Sequence, residues 1–232
     1  MRRTASFAAL VVFFASIPAT VVAQEEAVRS VSGGGISVSG WQGQVDARAA
    51  AQGQGVKDTK LTKDGDALHV VTGPAVNFWN PANTAKGDYT VKATFTEPKY
   101  MNLNDHPHPY GVFIGGNDLG TDHETLLYCS AYGNGNFIVR GFGPDPFQMN
   151  GRGGETSNFV HVAAGQGSPV TQEIAMTVKG DKVTCSINGS VVATYNKTDV
   201  VAPGRLKSTD GIYGIRFAHN TEGTVKGLTA TK

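Results

Sequence analysis

The sequence carries little charge, and neither sign is in clear excess. Charged residues make up 17% of the 232 residues, and the formal net charge is +1. Nucleic-acid binding needs a clustered positive field, so we expect no nucleic-acid partner. The sequence also lacks internal repeats, which argues against a propeller or a solenoid. It lacks long amphipathic helices too, which leaves strands as the main element of secondary structure.

Long apolar runs are missing except at the N-terminus. Residues 5–22 are mostly apolar and follow two arginines, and Val21-Val22-Ala23 places small residues at the positions typical of a cleavage site. The run holds a proline and is short for a membrane span, which needs about 20 residues. We therefore predict that residues 1–23 are a signal peptide and that the mature chain is soluble, without membrane contact, in the periplasm or outside the cell. An uncleaved anchor is the alternative, and Gln24 in place of cysteine excludes a lipid anchor at this site.

Cysteine is scarce, with only Cys129 and Cys185. Each alternates with apolar residues along a predicted strand, so both side chains should point into the core. An oxidising compartment would allow them to form one disulfide between two sheets. Two buried thiols that act as small apolar side chains are the alternative, because the sequence does not give the Cα separation that a disulfide requires.

Glycine is abundant, and apolar residues alternate with polar ones along most of the chain. In residues 89–96, Tyr, Val, Ala and Phe alternate with Thr and Lys, which predicts a half-buried strand. Asn188-Gly189 is the strongest hairpin turn. About a dozen such strands in residues 41–232 predict one all-β domain, a two-sheet antiparallel jelly roll. The Gly/Ser-rich residues 24–40 predict a flexible lead-in, with packing beginning at Trp41.

Four segments resemble a known group of folds. They are the run Tyr110–Gly116, the turn Lys179-Gly180-Asp181, the hairpin Ser186–Gly189 and the run Gly214–Phe217. Together they resemble concanavalin A-like lectin/glucanase jelly rolls, and more closely the secreted bacterial domains related to the 3-keto-disaccharide hydrolase family. The resemblance covers most of residues 41–232. It implies a jelly roll, and its members include sugar-binding modules, glycoside hydrolases, lyases and domains without known activity.

The retaining glucanases of this superfamily carry Glu-x-Asp-x-x-Glu on one strand, and this sequence lacks that pattern. Their chemistry needs two carboxylates about 5 Å apart. The nearest approach is Asp122-His123-Glu124, where the two carboxylates could share one face at the start of a strand. An acidic loop end is the preferred interpretation. The departure puts a glucanase activity of this type in doubt.

The segment Asp105–Tyr110 holds two histidines separated by one proline. His106 and His108 could both ligate a metal, with Asp105 in support. A third ligand is not local, so His123, His161 or His219 would have to come from elsewhere in the chain. A rigid surface loop is the alternative, and we predict no transition metal and no cofactor. A structural calcium remains possible, with oxygen ligands from Asp64, Asp66, Asn117, Asp118 and Asp122.

Strand parity suggests where a ligand could bind. In residues 213–217, Tyr213, Ile215 and Phe217 share the core face, so Arg216 points to the opposite face, which is the floor of a groove in many jelly rolls. An arginine there could hold a carboxylate or sugar hydroxyls, or else form a cross-strand ion pair. Phe113 points away from the core by the same parity. We predict a ligand site formed by His106, His108, Tyr110, Arg140, His161, Arg216, His219 and Asn220.

These observations predict an exported domain that binds a glycan or another small polar ligand in a groove. One alternative is a sugar-active hydrolase or lyase that uses a histidine or an aspartate as its base. The other is a structural or interaction domain without a small ligand. A further local prediction is a short helix over Asp46–Ala51 with Asp46 as its cap, and residues 159–162 are predicted as a strand.

Overall fold

The computed structural model describes residues 27–232, which form two β-sheets packed face to face. With strands numbered in chain order, the first sheet contains, from edge to edge, β1 (Gly35–Ile36), β3 (Thr59–Asp64), β4 (Ala67–Thr72), β16 (Glu222–Thr231), β6 (Tyr89–Glu97), β12 (Val170–Lys179), β13 (Lys182–Ile187) and β14 (Ser190–Asn196). The second contains β10 (Phe147–Gln148), β9 (Asn136–Phe142), β8 (Thr125–Ala131), β7 (Tyr110–Asn117), β15 (Gly211–Phe217), β5 (Val76–Ala85) and β2 (Gln42–Val45), with β11 (Glu155–Thr156) also paired to β9. The short helices are α1 (Ala47–Ala51), α2 (Lys197–Val200) and a 3₁₀ turn at Val56–Asp58.

The two sheets are antiparallel apart from one pair, which confirms the predicted all-β sandwich. Among the strands of residues 27–232, only β1 and β3 pair in parallel. The signal peptide predicted for residues 1–23 lies outside the described residues and stays a prediction. Between residues 27 and 232, no helix has the length and apolar character needed to cross a membrane.

Alternation along the strands builds the core between the sheets. On β6, Tyr89, Val91, Ala93 and Phe95 are buried and face the second sheet, while the residues between them are more exposed. The turn Asn188-Gly189 connects β13 to β14 with φ angles of 51° and 81°, as a two-residue hairpin of type I′ requires. The predicted periodicity and the predicted hairpin are both present.

A disulfide joins the two sheets through the core. Cys129 on β8 and Cys185 on β13 are bonded, with their Cα atoms 5.9 Å apart. Both side chains are buried in the main apolar cluster. The bond closes a segment of 56 residues, and by the chain-entropy model such a loop contributes about 4 kcal/mol to stability.

Two segments differ from the prediction. Packing begins before Trp41, because β1 pairs with β3 and the Arg29 N–H donates to the side chain of Asn220 at 2.8 Å. Residues 159–162 form no strand, and only Val162 makes an isolated bridge, to Asn134. The physical reason lies in the side chain of Gln172, which hydrogen-bonds both the N–H and the carbonyl of His161 and thereby replaces a strand ladder.

Candidate functional site

The outer face of the second sheet, turned away from the first sheet, carries a second apolar cluster. Tyr213, Ile215 and Phe217 belong to the core between the sheets, so Arg216 projects outward as predicted. Phe113 also projects outward, since Val112 and Ile114 lie in the core. The outer cluster consists of Trp79, Phe113, Leu126, Tyr128 and Ile138.

Residues 118–124 cover part of this outer face. Leu119 packs on the outer cluster, and the Gly120 N–H donates to the side chain of Gln44 at 2.8 Å. Beyond the covered part, the face forms a cavity of about 360 Å³, which we call the outer cavity. Its polar and aromatic lining includes His106, His108, Tyr128, Ser130, Tyr132, Arg140, Arg216 and His219.

The pairing of β15 with β7 brings three histidines to this cavity. Phe217 lies opposite Tyr110 in an antiparallel pair, so the residues after Phe217 lie beside those before Tyr110. The Ala218 N–H accordingly donates to the Pro109 carbonyl at 3.0 Å. This places the rings of His108 and His219 with centroids 4.1 Å apart. We call His106, His108 and His219 the histidine cluster.

Short polar contacts hold the rings of His106 and His108. His108 Nδ1 lies 2.6 Å from the carbonyl oxygen of His219, and its Nε2 lies 2.9 Å from Nε2 of His106. His106 Nδ1 lies 2.5 Å from Oδ1 of Asp105. Burial, with a smaller contribution from the charges of His219 and His106, lowers the pKa of His108 to about 4, so this ring is neutral at pH 7.

Arg216 is held by an ion pair that also shields it from solvent. Its Nη1 and Nη2 each donate to one carboxylate oxygen of Asp46 at 2.8 Å, and Nη1 also donates to Asn77 Oδ1 at 2.9 Å. The guanidinium carbon lies 4.8 Å from the ring centres of both Tyr128 and Phe142. Arg216 therefore takes the ion-pair role that we considered as the alternative to ligand binding.

The ion pair with Arg216 lowers the pKa of the Asp46 carboxyl group. Burial acts to raise the pKa of Asp46, but the charge and hydrogen bonds of Arg216 hold it below its usual value. The predicted capping role of Asp46 is wrong: α1 follows it directly, yet its side chain makes no capping hydrogen bond. The reason is that both carboxylate oxygens face Arg216 instead.

Glu124 is the last residue of the covering segment, and its carboxyl group, like that of Asp46, is largely removed from solvent. Burial raises the pKa of Glu124 to about 7, and the charge of Arg216 offsets only part of this effect. Its Oε2 atom is buried and has no hydrogen-bond partner among residues 27–232. Asp122, in contrast, is exposed, so the two carboxylates of this segment lie in different environments.

Two donors on the outer face are incompletely bonded. Arg140 Nη2 donates to the carbonyl of Arg152 at 2.6 Å, but Arg140 Nε is buried without a partner in the described part of the chain. Ser130 Oγ is in the same condition. Most buried polar atoms in proteins have a partner, and the residues that carry these two atoms both line the outer cavity.

Three of the predicted site residues lie elsewhere. Tyr110 is buried in the core, with its ring 5.8 Å from that of Phe95, because it shares strand parity with Val112. His161 is exposed at the edge of β12, with Nδ1 2.7 Å from the Thr171 carbonyl. Asn220 is fully buried, and its side chain holds the backbone of Ala27 and Arg29. These three residues are not part of the outer cavity.

The residues considered for calcium are engaged in part with lysines. Asp66 forms an ion pair with Lys226 at 3.0 Å, and Asp118 forms one with Lys207. Asn117 donates to two backbone carbonyls, those of Gly115 and Asp210. These contacts do not test the structural calcium considered from the sequence.

Sequence reasoning missed Tyr128, Ser130 and Asp46. Parity could have found the first two, because they alternate with Leu127 and Cys129 on β8, which face the core. Asp46 gives no local signal, since its partner Arg216 is 170 residues away.

Comparison with known proteins supports the fold. No protein-family model matches the chain, and no curated protein does. Among solved structures, the chain is similar to the endo-β-1,3-glucanase of Pyrococcus furiosus (12% identity, TM-score 0.52, covering 86% of this chain and 90% of that one). It is also similar to a galectin-like protein of unknown function from Bacillus subtilis (15%, 0.50, 82% and 88%) and to the carbohydrate-binding module CBM66 from Bacillus subtilis (9%, 0.49, 85% and 98%). The likeness to the glucanase and to the galectin-like protein shows that the fold is a jelly roll of the concanavalin A-like lectin/glucanase type.

Proposed function

We propose that the outer cavity binds a carbohydrate of one or two sugar units. The observation that carries the proposal is that Ser130 and Arg140, whose Oγ and Nε atoms have no partner among residues 27–232, both line this cavity. A sugar ring offers many hydroxyl oxygens, which can accept hydrogen bonds from the Ser130 hydroxyl and from the Arg140 Nε–H group. A buried polar atom left without a partner costs about 1–3 kcal/mol, so binding would recover this free energy.

The rest of the lining suits the same ligand. Tyr128 and Tyr132 present aromatic surface to the cavity, and aromatic rings pack against the apolar faces of sugars. A volume of about 360 Å³ lies at the lower end of the range of small-molecule sites, about 300–1,000 Å³. Fold analogy with a structure named as a glucanase agrees with a sugar ligand.

The available carboxylate favours binding over hydrolysis. Of the described residues that line the outer cavity, Asp46 is the one carboxylate, and Arg216 engages both of its oxygens. Retaining hydrolysis needs two carboxylates about 5 Å apart, one of them free to attack. The geometry therefore supports a sugar-binding domain better than a retaining glycosidase.

A glycan array probed with the purified protein tests this proposal, followed by calorimetry with the sugars that bind. We expect Arg140→Ala and Tyr132→Ala to weaken binding at least about tenfold, by the loss of a charged donor and of an aromatic surface. His161→Ala and Tyr195→Ala, which lie outside the outer cavity, are the matched controls. Silence across plant, bacterial and animal glycans, or equal loss in the controls, would reject the proposal.

A further inference from the structure

The histidine cluster has the composition of a metal site. One ring nitrogen from each of His106, His108 and His219 can be chosen so that the three atoms lie within 4.8 Å of one another. The three rings come from two segments that strand pairing holds together, the residues before β7 and those after β15. Pro107 and Pro109 restrict the backbone beside the first two histidines. The cluster is thus preorganised rather than assembled from mobile side chains.

The hydrogen-bond partners of the two Nδ1 atoms indicate which ring nitrogens are available to a metal. Asp105 Oδ1 and the carbonyl oxygen of His219 can act only as acceptors, so Nδ1 of His106 and Nδ1 of His108 must donate to them. An imidazole that donates from Nδ1 can offer the lone pair of its Nε2 to a metal. The two Nε2 atoms are 2.9 Å apart, so one cation can reach both.

We propose that His106, His108 and His219 bind a divalent transition metal of the zinc type. Zinc bonds of about 2.0–2.1 Å in tetrahedral geometry place ligand nitrogens about 3.3 Å apart, so the cluster needs only a small adjustment of its rings. Imidazole nitrogen suits zinc, copper and nickel, whereas calcium and magnesium prefer oxygen. The acceptors on the two Nδ1 atoms match the outer-shell partners that orient histidine ligands of metals.

The site is open on the side of the outer cavity. All three histidines line that cavity, together with Arg140 and Tyr132. Three protein ligands leave a fourth position of a tetrahedral metal for water or a ligand oxygen. The metal would therefore lie at the edge of the proposed sugar site, where a hydroxyl could reach it. The metal proposal does not depend on the sugar proposal, because zinc binding can be measured without sugar.

Zinc titration of the untagged, chelator-treated protein tests the inference by calorimetry. We expect one equivalent to bind to the wild type, with affinity at least about 100-fold lower in His106→Ala and in His219→Ala. Asp105→Ala, which removes only an outer-shell acceptor, should weaken binding about tenfold. His161→Ala and His123→Ala, whose rings lie outside the cluster, should bind as the wild type does. His106 is exposed, so its variant should fold, and a thermal melt without metal checks this.

Substitution with Co²⁺ provides an independent readout. A bound cobalt in a site of three nitrogens should show a visible absorption spectrum that the His106→Ala/His219→Ala double variant lacks. If the wild type and this double variant bind zinc equally, or if neither binds, while both melt at the same temperature, the proposal is wrong. In that case a shared proton between His106 and His108 would account for the short nitrogen contact.

Discussion

Arg216 and Arg140 project from the same face of the same sheet, yet their side chains differ in the number of hydrogen-bond partners. Arg216 is 8% exposed and donates to both oxygens of Asp46 and to Asn77. Arg140 has one hydrogen bond, to the Arg152 carbonyl, and a buried Nε without a partner among the described residues. Strand parity decides which face a side chain occupies, but its partners decide whether it stabilises the fold or remains available to a ligand.

The largest effect in this comparison should come from removing Arg216. Arg216→Ala leaves Asp46 without its counter-charge in a partly buried position, and breaking a buried ion pair in this way costs about 3–5 kcal/mol. Urea unfolding measures the loss. The double change Asp46→Leu with Arg216→Met should recover most of it, because no uncompensated charge remains. A loss below about 1 kcal/mol in Arg216→Ala would show that Arg216 is not structural.

The next largest effect is the pH dependence of stability caused by Glu124, whose carboxyl group lies near Arg216. The pKa of Glu124 is raised from 4.5 to about 7 in the fold, so its contribution to stability is complete below pH 4.5 and is lost as the pH rises through about 7. Glu124→Gln removes this titration. We expect the stability of the variant relative to the wild type to rise over that interval by about 1–2 kcal/mol, less than the full pKa shift would give, because Glu124 is partly exposed to solvent.

Chemical unfolding at several pH values from 4 to 8 measures this difference, and contributions common to both proteins cancel. The exposed Glu155→Gln is the matched control and should show no such trend. If the difference between Glu124→Gln and the wild type does not change with pH, Glu124 is solvated and the covering segment does not bury it.

The sequence predicted the face of each strand better than the contacts on that face. Alternation placed Arg216 and Phe113 outward, and the turn Asn188-Gly189 gave one hairpin. The same alternation would have placed Tyr110 in the core with Val112, had it been applied there. Periodicity of two is a local property of the chain, so the face that a side chain occupies can be predicted without knowing the fold.

The site itself depends on pairings that the sequence does not contain. His219 lies beside His106 and His108 because Phe217 lies opposite Tyr110 in the pairing of β15 with β7. These two paired residues are more than 100 positions apart in the sequence, so the register of their strands is set by the packing of the whole sheet. Asp46 reaches Arg216 across β5 and β15 for the same kind of reason. The histidines could be named from the sequence, but their meeting in one cavity follows from the sheet order.

Replacing Arg140 should have a smaller effect on stability than replacing Arg216, and a larger effect on ligand binding than on stability. Arg140→Ala removes a donor that the fold does not saturate, so we expect stability to change by less than about 1 kcal/mol. Sugar binding should weaken by about 1.5–3 kcal/mol, as for a hydrogen bond to a charged group. Calorimetry and urea unfolding of the same variant separate the two. If Arg140→Ala destabilises the protein as much as Arg216→Ala does, the distinction between the two arginines is lost.

The smallest expected effect has opposite signs on binding and stability. Ser130 Oγ is buried without a partner among residues 27–232, so Ser130→Ala removes an unsatisfied hydroxyl and should leave stability unchanged or raise it by about 1 kcal/mol. The same change removes a hydrogen bond to the sugar and should weaken binding about fivefold, or about 1 kcal/mol. Ser186→Ala, on the first sheet, is the matched control and should leave binding unchanged. A Ser130→Ala variant that binds as tightly as the wild type would show that the hydroxyl does not face the ligand, because a donor completed by a sugar cannot be removed without loss.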